Sequence, residues 1–473
     1  MLSSLMKDSL VYGIANAIQK MIPFFIIPIV TGYLGQDALK IYDVSFVYAY
    51  LFSWLIISGQ DAAGAILYFD EKKTQFNKKQ VVAYALLIQL VVLAFFLCLF
   101  FFFSGSWGTV LFSKDISLVQ WWMKALLILP GFILMNYTLN LLLWQKRKVQ
   151  YVLLCSILTL LSIGSVWLTV VISLGGILAL FYCLVGSMGV SAIIGLIMVR
   201  KQVFTPLLPI NKSLLKKLLW LGIPFSLAAF LQQLLPSIDR YFLIQYNYSH
   251  SLAVYVLAVK LGALMNFGIS AFALAFTPYS MAKLNTEDAE KEISGLFRLV
   301  SVGTLLAIPL LLVFKDQLVL LFADASYQSS AKLLPFFFFG WAFDLFCFFS
   351  ILGIYRSQKT FLQLILFLIA ASIISIANLL LVPSFGLYGA AISFCFTKAA
   401  VFFISLVWFR KYFHLQVQPF SFLLVLLTSI GCSYSVYVLP ALTNVFILGI
   451  VLLIAWFYFF RDLFVKKRSQ FIG

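Results

Sequence analysis

The chain has 473 residues, of which 63% are hydrophobic and only 10% charged, and its mean hydropathy is +1.05. About a quarter of the residues are charged in an ordinary soluble domain, so water would not solvate this composition. The formal net charge of +17 lies mainly in short loops, which argues against a nucleic-acid-binding face. A transmembrane β-barrel would show alternating segments of about ten residues, and none are present. The sequence therefore predicts an all-α polytopic membrane protein.

Apolar runs bounded by polar loops predict about fourteen transmembrane helices in two six-helix lobes followed by two further helices. In chain order the runs lie near residues 10–34, 41–66, 80–104, 117–143, 151–173, 177–199, 218–246, 252–278, 296–314, 331–354, 361–382, 387–409, 419–438 and 440–460. No loop is long enough for a soluble catalytic domain, and no G-x-x-x-x-G-K-[ST] phosphate loop is present. The six cysteines lie inside apolar runs without metal-ligand spacing. We therefore expect a transporter rather than an enzyme, with no ATP hydrolysis, metal site or cofactor.

The basic residues of the loops define the expected orientation. One set of alternate loops carries clusters such as Lys72-Lys73, Lys146–Lys148, Arg200-Lys201 and Lys466–Arg468, whereas the opposite loops hold only Lys40, Lys114, Lys315 and Lys332. Cytoplasmic loops carry an excess of Lys and Arg, and this bias never inverts along the chain. It predicts an even number of spans with both termini in the cytoplasm.

A weak internal repeat supports the two lobes. A shift of 213 residues aligns Gln19 with Gln232 and Pro23 with Pro236, and a shift of 210 aligns the doublets Arg200-Lys201 and Arg410-Lys411. Each copy would contain six helices, so both insert in the same orientation, as parallel repeats do. The predicted organisation is an N-terminal lobe over 1–205, a second lobe over 206–415, and two additional helices with a basic tail over 416–473.

Ionisable residues inside the predicted spans are the candidates for function. Each costs about 2.5–3.5 kcal/mol at a helix centre, so it is expected to face a bundle interior or a wet cavity. Asp43 and Asp61 lie near the ends of the second span, where water reaches them, while Asp239 is one helix position from Arg240 and points elsewhere. The alternative is that cations pair with Asp239 and Asp344 in a neutral structural network, but four cations still outnumber these two mid-span carboxylates. The four cations are Lys20, Arg240, Lys260 and Lys398.

An excess of cations at membrane depth favours an anionic cargo, because phosphate or carboxylate groups compensate the desolvation of the cations. Neutral polar residues on the same helices suit sugar hydroxyls, although such residues also hold helices together. They are Asn16, Gln19, Gln232 and Gln233. Pro23 and Pro236 lie close to Lys20 and Arg240 and are candidate hinges, since proline removes a helical hydrogen bond.

Several short motifs occur in a recognisable order. Gly222-Ile223-Pro224 is followed by Asp239-Arg240, by Tyr255–Lys260 and by Phe276-Thr277-Pro278, and Val382–Ala391 forms the turn before the twelfth span. In this order, and over essentially the whole chain, the sequence resembles the polysaccharide transporter branch of the multidrug/oligosaccharidyl-lipid/polysaccharide (MOP) flippase superfamily. Members of that branch flip oligosaccharides linked to undecaprenyl diphosphate.

The resemblance implies two lobes around a cationic central cavity with alternating access. It also implies that the four cations contact the diphosphate or acidic sugars, although Lys at position 20 lacks the bidentate fork of an arginine. O-antigen, capsule and other exopolysaccharide repeat units are all compatible cargoes, and glycan polymerase machinery is a candidate partner. Without an ATPase, direction would come from consumption of the product or from an ion gradient, for which Asp61 and Asp344 are the candidate coupling groups.

Alternatives remain within and outside the superfamily. A lipid II flippase would have a similar architecture. A multidrug exporter usually carries organic cations, which an excess of Lys and Arg should repel. A membrane glycan polymerase or ligase needs acid–base groups on a large external loop, whereas the external loops here are short and the two histidines, His250 and His414, lie on opposite sides.

Overall fold

The computed structural model describes residues 13–15, 17–69, 77–112, 115–203, 211–284, 286–357, 359 and 361–438. Within these residues every regular element is helical. The helices are α1 Ile22–Ile29, α2 Gly35–Ile57, α3 Gln60–Phe69, α4 Lys78–Phe102, α5 Ser104–Phe112, α6 Ile116–Ala125, α7 Ile128–Trp144, α8 Lys148–Val166, α9 Ile177–Val203, α10 Lys212–Gln245, α11 Leu252–Gly262, α12 Met265–Lys283, α13 Ala289–Val313, α14 Lys315–Phe322, α15 Leu334–Ser350, α16 Leu352–Ser357, α17 Phe361–Phe385, α18 Leu387–Phe409 and α19 Pro419–Val438. Short π-helices follow α1 and α8, at Val30–Leu34 and Trp167–Ile172, and short 3₁₀ helices precede α11 and α15, at Ser249–Ser251 and Ala325–Leu333.

The membrane class predicted from composition is confirmed. Twelve helical runs among the described residues are long and apolar enough to cross a bilayer. The first of them, Gly13–Phe69, covers the described part of the first two predicted spans, because the helix continues through a turn at Met21 and the π-helix. The predicted span 440–460 lies outside the described residues, so the count of fourteen stays a prediction.

The chain forms two compact units. The first contains residues 1–256 and 361–390, and the second contains residues 257–360 and 391–473. In the first unit α10 packs against α2 and α17, and α9 packs against α7 and α8. These units do not follow the boundary at residue 206 that separates the two predicted lobes, and the lobes stay a prediction.

Small residues let the helices of the first unit approach closely. Gly131 on α7 lies against Gly189 on α9, where an added Cβ would be 3.0 Å from the Gly189 nitrogen. The Ser162 and Ser187 hydroxyls, on α8 and α9, share a hydrogen bond of 2.9 Å. Small side chains and hydroxyl contacts are typical of helix packing in lipid, where apolar side chains gain little from leaving the bilayer.

Aromatic rings fill the core of the second unit. Phe297 on α13 contacts Phe346 and Phe349 on α15, with ring centroids 5.8 and 5.3 Å apart. Phe402 on α18 lies 5.7 Å from Phe346 and 6.0 Å from Phe422 on α19. Edge-to-face and offset ring pairs of this kind add specific contacts to the packing of four helices.

Candidate functional site

Arg240 and Asp43 form a buried ion pair between α10 and α2 in the first unit. The guanidinium Nε donates to Asp43 Oδ2 at 2.7 Å, and the two side chains are 2% and 0% exposed. Nη1 also donates to the Pro236 carbonyl oxygen, one turn earlier on α10. The expectations that Arg240 is short of a protein counter-ion and that Asp43 is hydrated are therefore corrected. The pairing partner comes from a different helix, which sequence spacing does not reveal.

Asp239 belongs to a second buried hydrogen-bond group beside this pair. Its two carboxylate oxygens accept from the Asn378 amide and the Tyr255 hydroxyl, each at 2.8 Å. These partners lie on α17 and α11, so Asp239 joins three helices. Asp239 and Arg240 therefore turn to different partners, as adjacent positions of a helix require.

A group of polar residues around Asp115 connects α2, the start of α6 and the segment before α11. It lies on the side where the predicted loops are poor in basic residues. Asp115, which precedes α6, accepts a hydrogen bond from the Ser249 hydroxyl at 3.1 Å and lies 3.8 Å from the Lys40 ammonium. Partial burial alone would raise the pKa of Asp115, but hydrogen bonds from Ser117 and Ser249 and the charge of Lys40 outweigh it, so the pKa is lowered. Asp115 is therefore ionised at neutral pH and binds these partners as a carboxylate.

Lys20 lies in a different environment from Arg240. Its side chain is exposed, and no described carboxylate pairs with it. The turn at Met21 follows it directly, and Pro23 lies in the first turn of α1, where a missing N–H is tolerated. Gln19 is half-buried, with its Oε1 3.8 Å from the Cys155 sulfur. Lys20 is thus the predicted cation of the first unit that can still meet an anion.

The proline and glutamines of α10 surround the turn that precedes Arg240. Gln232 is exposed and Gln233 half-buried, one turn before Pro236. Pro236 removes the N–H that would bond the Gln232 carbonyl, but α10 continues through this position as one helix. The hinge roles of Pro23 and Pro236 stay predictions. Asn16, the remaining polar candidate, lies outside the described residues.

The second unit holds the other predicted cations. Lys398 on α18 pairs with Asp344 on α15, and their side chains are 19% and 29% exposed. The ammonium also lies 5.5 Å from the Trp341 ring centroid and 5.9 Å from that of Phe394. Lys260 is half-buried near the end of α11. Lys398 and Asp344, predicted separately as a cargo contact and a coupling group, are therefore direct partners.

Asp61 lies in the first unit, at the second residue of α3, and is half-buried. The structure thus brings together two of the predicted residues, Lys398 and Asp344, and gives a third, Arg240, a partner that was not predicted to be functional. Asn378 and Tyr255 were also missed as members of the buried group. An asparagine inside an apolar run such as 361–382 is the sequence signal that would have indicated Asn378.

Comparison with solved structures defines the fold. The lipid II flippase MurJ, in an inward closed conformation, superposes with a TM-score of 0.73 at 15% identity, over 96% of this chain and 100% of MurJ. A multidrug resistance MATE family transporter of the MOP superfamily, in its inward-facing conformation, gives a TM-score of 0.68 at 15% identity, over 85% and 97% of the two chains. A MOP superfamily transporter from Pyrococcus furiosus gives 0.63 at 17% identity, over 86% and 95%. The fold is that of the MOP superfamily transporters.

The sequence shows which family with this fold the chain belongs to. Residues 5–285 match the family described as polysaccharide biosynthesis protein, and this chain belongs to that family. No curated protein matches the chain. The resemblance to the polysaccharide branch of the MOP superfamily, predicted from the order of the motifs, is confirmed.

Proposed function

We propose that this protein is a flippase that moves an oligosaccharide linked to undecaprenyl diphosphate from the cytoplasmic to the outer leaflet of the bacterial inner membrane. The observation that carries the proposal is membership of the polysaccharide biosynthesis family on a fold shared with transporters. An O-antigen, capsule or other exopolysaccharide repeat unit is the proposed cargo. Movement occurs by alternating access, and the protein has no catalytic role.

The proposed contacts to the diphosphate and acidic sugars are the accessible cations. Lys20 supports this role best, since it is exposed inside the first span and no described carboxylate pairs with it. Lys260 and Lys398 are retained as further contacts, with the glutamines of α10 as partners for sugar hydroxyls. Arg240 is proposed to position α10 through Asp43 rather than to contact cargo, because its side chain is 2% exposed and its Nε and Nη1 donate to protein acceptors.

The sequence has no nucleotide-binding motif, so direction must come from elsewhere. Consumption of the flipped lipid by glycan polymerase machinery on the outer side would pull the equilibrium forward. An ion gradient could add to this, with Asp61 as the candidate coupling carboxylate in the first unit.

Replacement of Lys20 tests the proposal. In the native host lacking the chromosomal copy, Lys20→Ala should reduce glycan export about tenfold or more, because a desolvated charge pair with the diphosphate is lost. Lipid-linked oligosaccharide should accumulate in the cytoplasmic leaflet. Export is measured by immunoblot of surface glycan, and accumulation by extraction and mass spectrometry of the lipid-linked precursor.

Two control variants accompany this measurement. Lys20→Arg keeps the charge and should retain export. Lys124→Ala removes a lysine whose ammonium lies 4.0 Å from the Trp121 ring centroid, at the outer end of its span, and should also retain export. Normal export by Lys20→Ala at wild-type protein levels would show that Lys20 does not contact the cargo.

A lipid II flippase is the second candidate, favoured by the superposition with MurJ over 96% of this chain. Its cargo also carries a diphosphate, so the accessible cations suit both. Complementation of a strain depleted of its own lipid II flippase separates the two functions. Restored growth would favour the second candidate, whereas loss of surface glycan on deletion, with normal growth, would favour the first.

A further inference from the structure

The ion pair between Lys398 and Asp344 lies at membrane depth yet is accessible. Lys398 is at the middle of α18, which spans Leu387–Phe409, and Asp344 lies within the helical run Ala325–Ser357. Both residues belong to the second unit. Their side chains are 19% and 29% exposed, so part of this pair is accessible from outside the protein even at membrane depth.

The pair between Arg240 and Asp43 provides a contrast. It is 2% and 0% exposed, and the guanidinium has a second acceptor in the Pro236 carbonyl. A cargo group cannot reach such a pair without opening the helix contact. The Lys398–Asp344 pair can be approached without that step.

Lys398 also retains bonding capacity. An ammonium has three donors, and among the described residues Lys398 donates a hydrogen bond to Asp344. Its other neighbours are the rings of Trp341 and Phe394, which attract a cation but accept no conventional hydrogen bond. Because an ammonium facing hydrocarbon is costly, the space beside it should contain water or a polar ligand.

We propose that Asp344 is an internal counter-ion that occupies Lys398 while the carrier is empty and is displaced by the diphosphate of the cargo. This inference rests on the flippase function proposed above. A diphosphate carries more charge and more acceptor oxygens than one carboxylate, so it competes effectively for the ammonium. When the cargo leaves, Asp344 returns, and the empty carrier does not have to change conformation with an unpaired cation at membrane depth.

Binding measurements test the competition. The full-length protein is placed in lipid nanodiscs and titrated with undecaprenyl diphosphate, which carries no glycan. Asp344→Asn should bind the probe about tenfold more tightly because the competitor is lost, and Lys398→Gln about tenfold more weakly. The double variant should bind like Lys398→Gln, since Asp344 acts only through Lys398. Asp316→Asn, which removes the partner of Lys315 outside the membrane-spanning runs, should bind like the wild type.

Transport measurements test the return step. In proteoliposomes, exchange of labelled for unlabelled probe needs only the loaded carrier, whereas net flipping also needs the empty carrier to return. Asp344→Asn should retain exchange and lose most of its net flipping. Asp344→Glu, which restores a carboxylate, should recover both the affinity and the net rate.

The outcomes separate this inference from the proposed function. If the wild-type protein neither binds nor flips the probe, the flippase function is wrong and the inference falls with it. If the wild type does both but Asp344→Asn binds no more tightly, or loses exchange and net flipping equally while its thermal unfolding matches the wild type, the counter-ion role alone is wrong. If Asp344→Asn does not fold, the double variant remains testable, because it has no unpaired charge. Wild-type affinity in that variant would also overturn the inference.

Discussion

Arg240 forms a buried ion pair in the fold, although in the sequence it has the features of a cargo-binding residue. Its guanidinium lies inside the first unit with an exposed fraction of 2%, and Asp43 provides the compensating charge. Removal of one partner from a buried ion pair leaves the other charge in a low-dielectric environment without compensation. That cost is larger than the net stability of the intact pair.

We expect Arg240→Ala to destabilise the protein by about 3–5 kcal/mol, because Asp43 is left buried and unpaired. The double variant Arg240→Gln with Asp43→Asn should lose less, since it buries no uncompensated charge. Thermal unfolding of the detergent-solubilised protein, followed by size-exclusion chromatography, measures both.

The surface pair between Arg356 and Glu290 is the matched control for this prediction. Its side chains are 34% and 33% exposed, so Arg356→Ala should cost at most about 1 kcal/mol. An Arg240→Ala protein that unfolds at the wild-type temperature would contradict the structural role given to this residue.

At the scale of elements, the close contact of α10 with the break between α2 and α3 explains why position 222, in the Gly222-Ile223-Pro224 motif, is a glycine. Ser58 and Gly59 adopt left-handed backbone conformations, with φ of 54° and 63°. A Cβ at Gly222 on α10 would lie 2.4 Å from the Ser58 carbonyl oxygen. The Gln60 amide donates to the Leu218 carbonyl at 3.3 Å across the same contact. The backbone of α10 therefore rests directly on the break, which only a glycine permits.

Gly222→Ala should destabilise the protein by about 1–3 kcal/mol, because a backbone oxygen rather than a flexible side chain must move. Gly164→Ala is the control. An added Cβ there meets nothing within 4 Å, and alanine is the better helix former by up to about 1 kcal/mol, so this variant should be neutral or stabilising. Thermal unfolding of both variants measures whether the two substitutions change stability in opposite directions. Equal changes would contradict the close contact at Gly222.

At the scale of the whole molecule, the basic loops predict the orientation of the chain and an even number of spans. If residues 440–460 form a fourteenth span, the end of α19 at residue 438 and the C-terminus at residue 473 lie on opposite sides of the membrane. A fusion after residue 438 should give active periplasmic alkaline phosphatase. A fusion at the C-terminus should give fluorescent cytoplasmic green fluorescent protein. Placement of both fusions on the same side would show that residues 440–460 do not cross the membrane.

The sequence alone determined the class of this protein, because that class depends on local properties of each segment: its hydrophobicity and the charge of its loops. Long apolar runs specify membrane helices whatever their neighbours are, because every backbone polar group in lipid must be satisfied within the helix. The bias of Lys and Arg between alternate loops likewise needs no tertiary information. The order of loose motifs was sufficient to predict the branch of the superfamily, and the match over residues 5–285 confirmed the family.

Only the tertiary structure decided which charges are compensated. In the sequence, Lys20 and Arg240 both counted among the cations in excess of the mid-span carboxylates, because Asp239 points away from its neighbour Arg240. In the fold, Asp43 from another helix compensates Arg240, while Lys20 is exposed with no described carboxylate as its partner. Likewise, Asp344 and Lys398 are 54 residues apart and become partners only when α15 and α18 pack together. Electrostatic energy depends on distances in space, and these are not encoded in the local pattern of a helix.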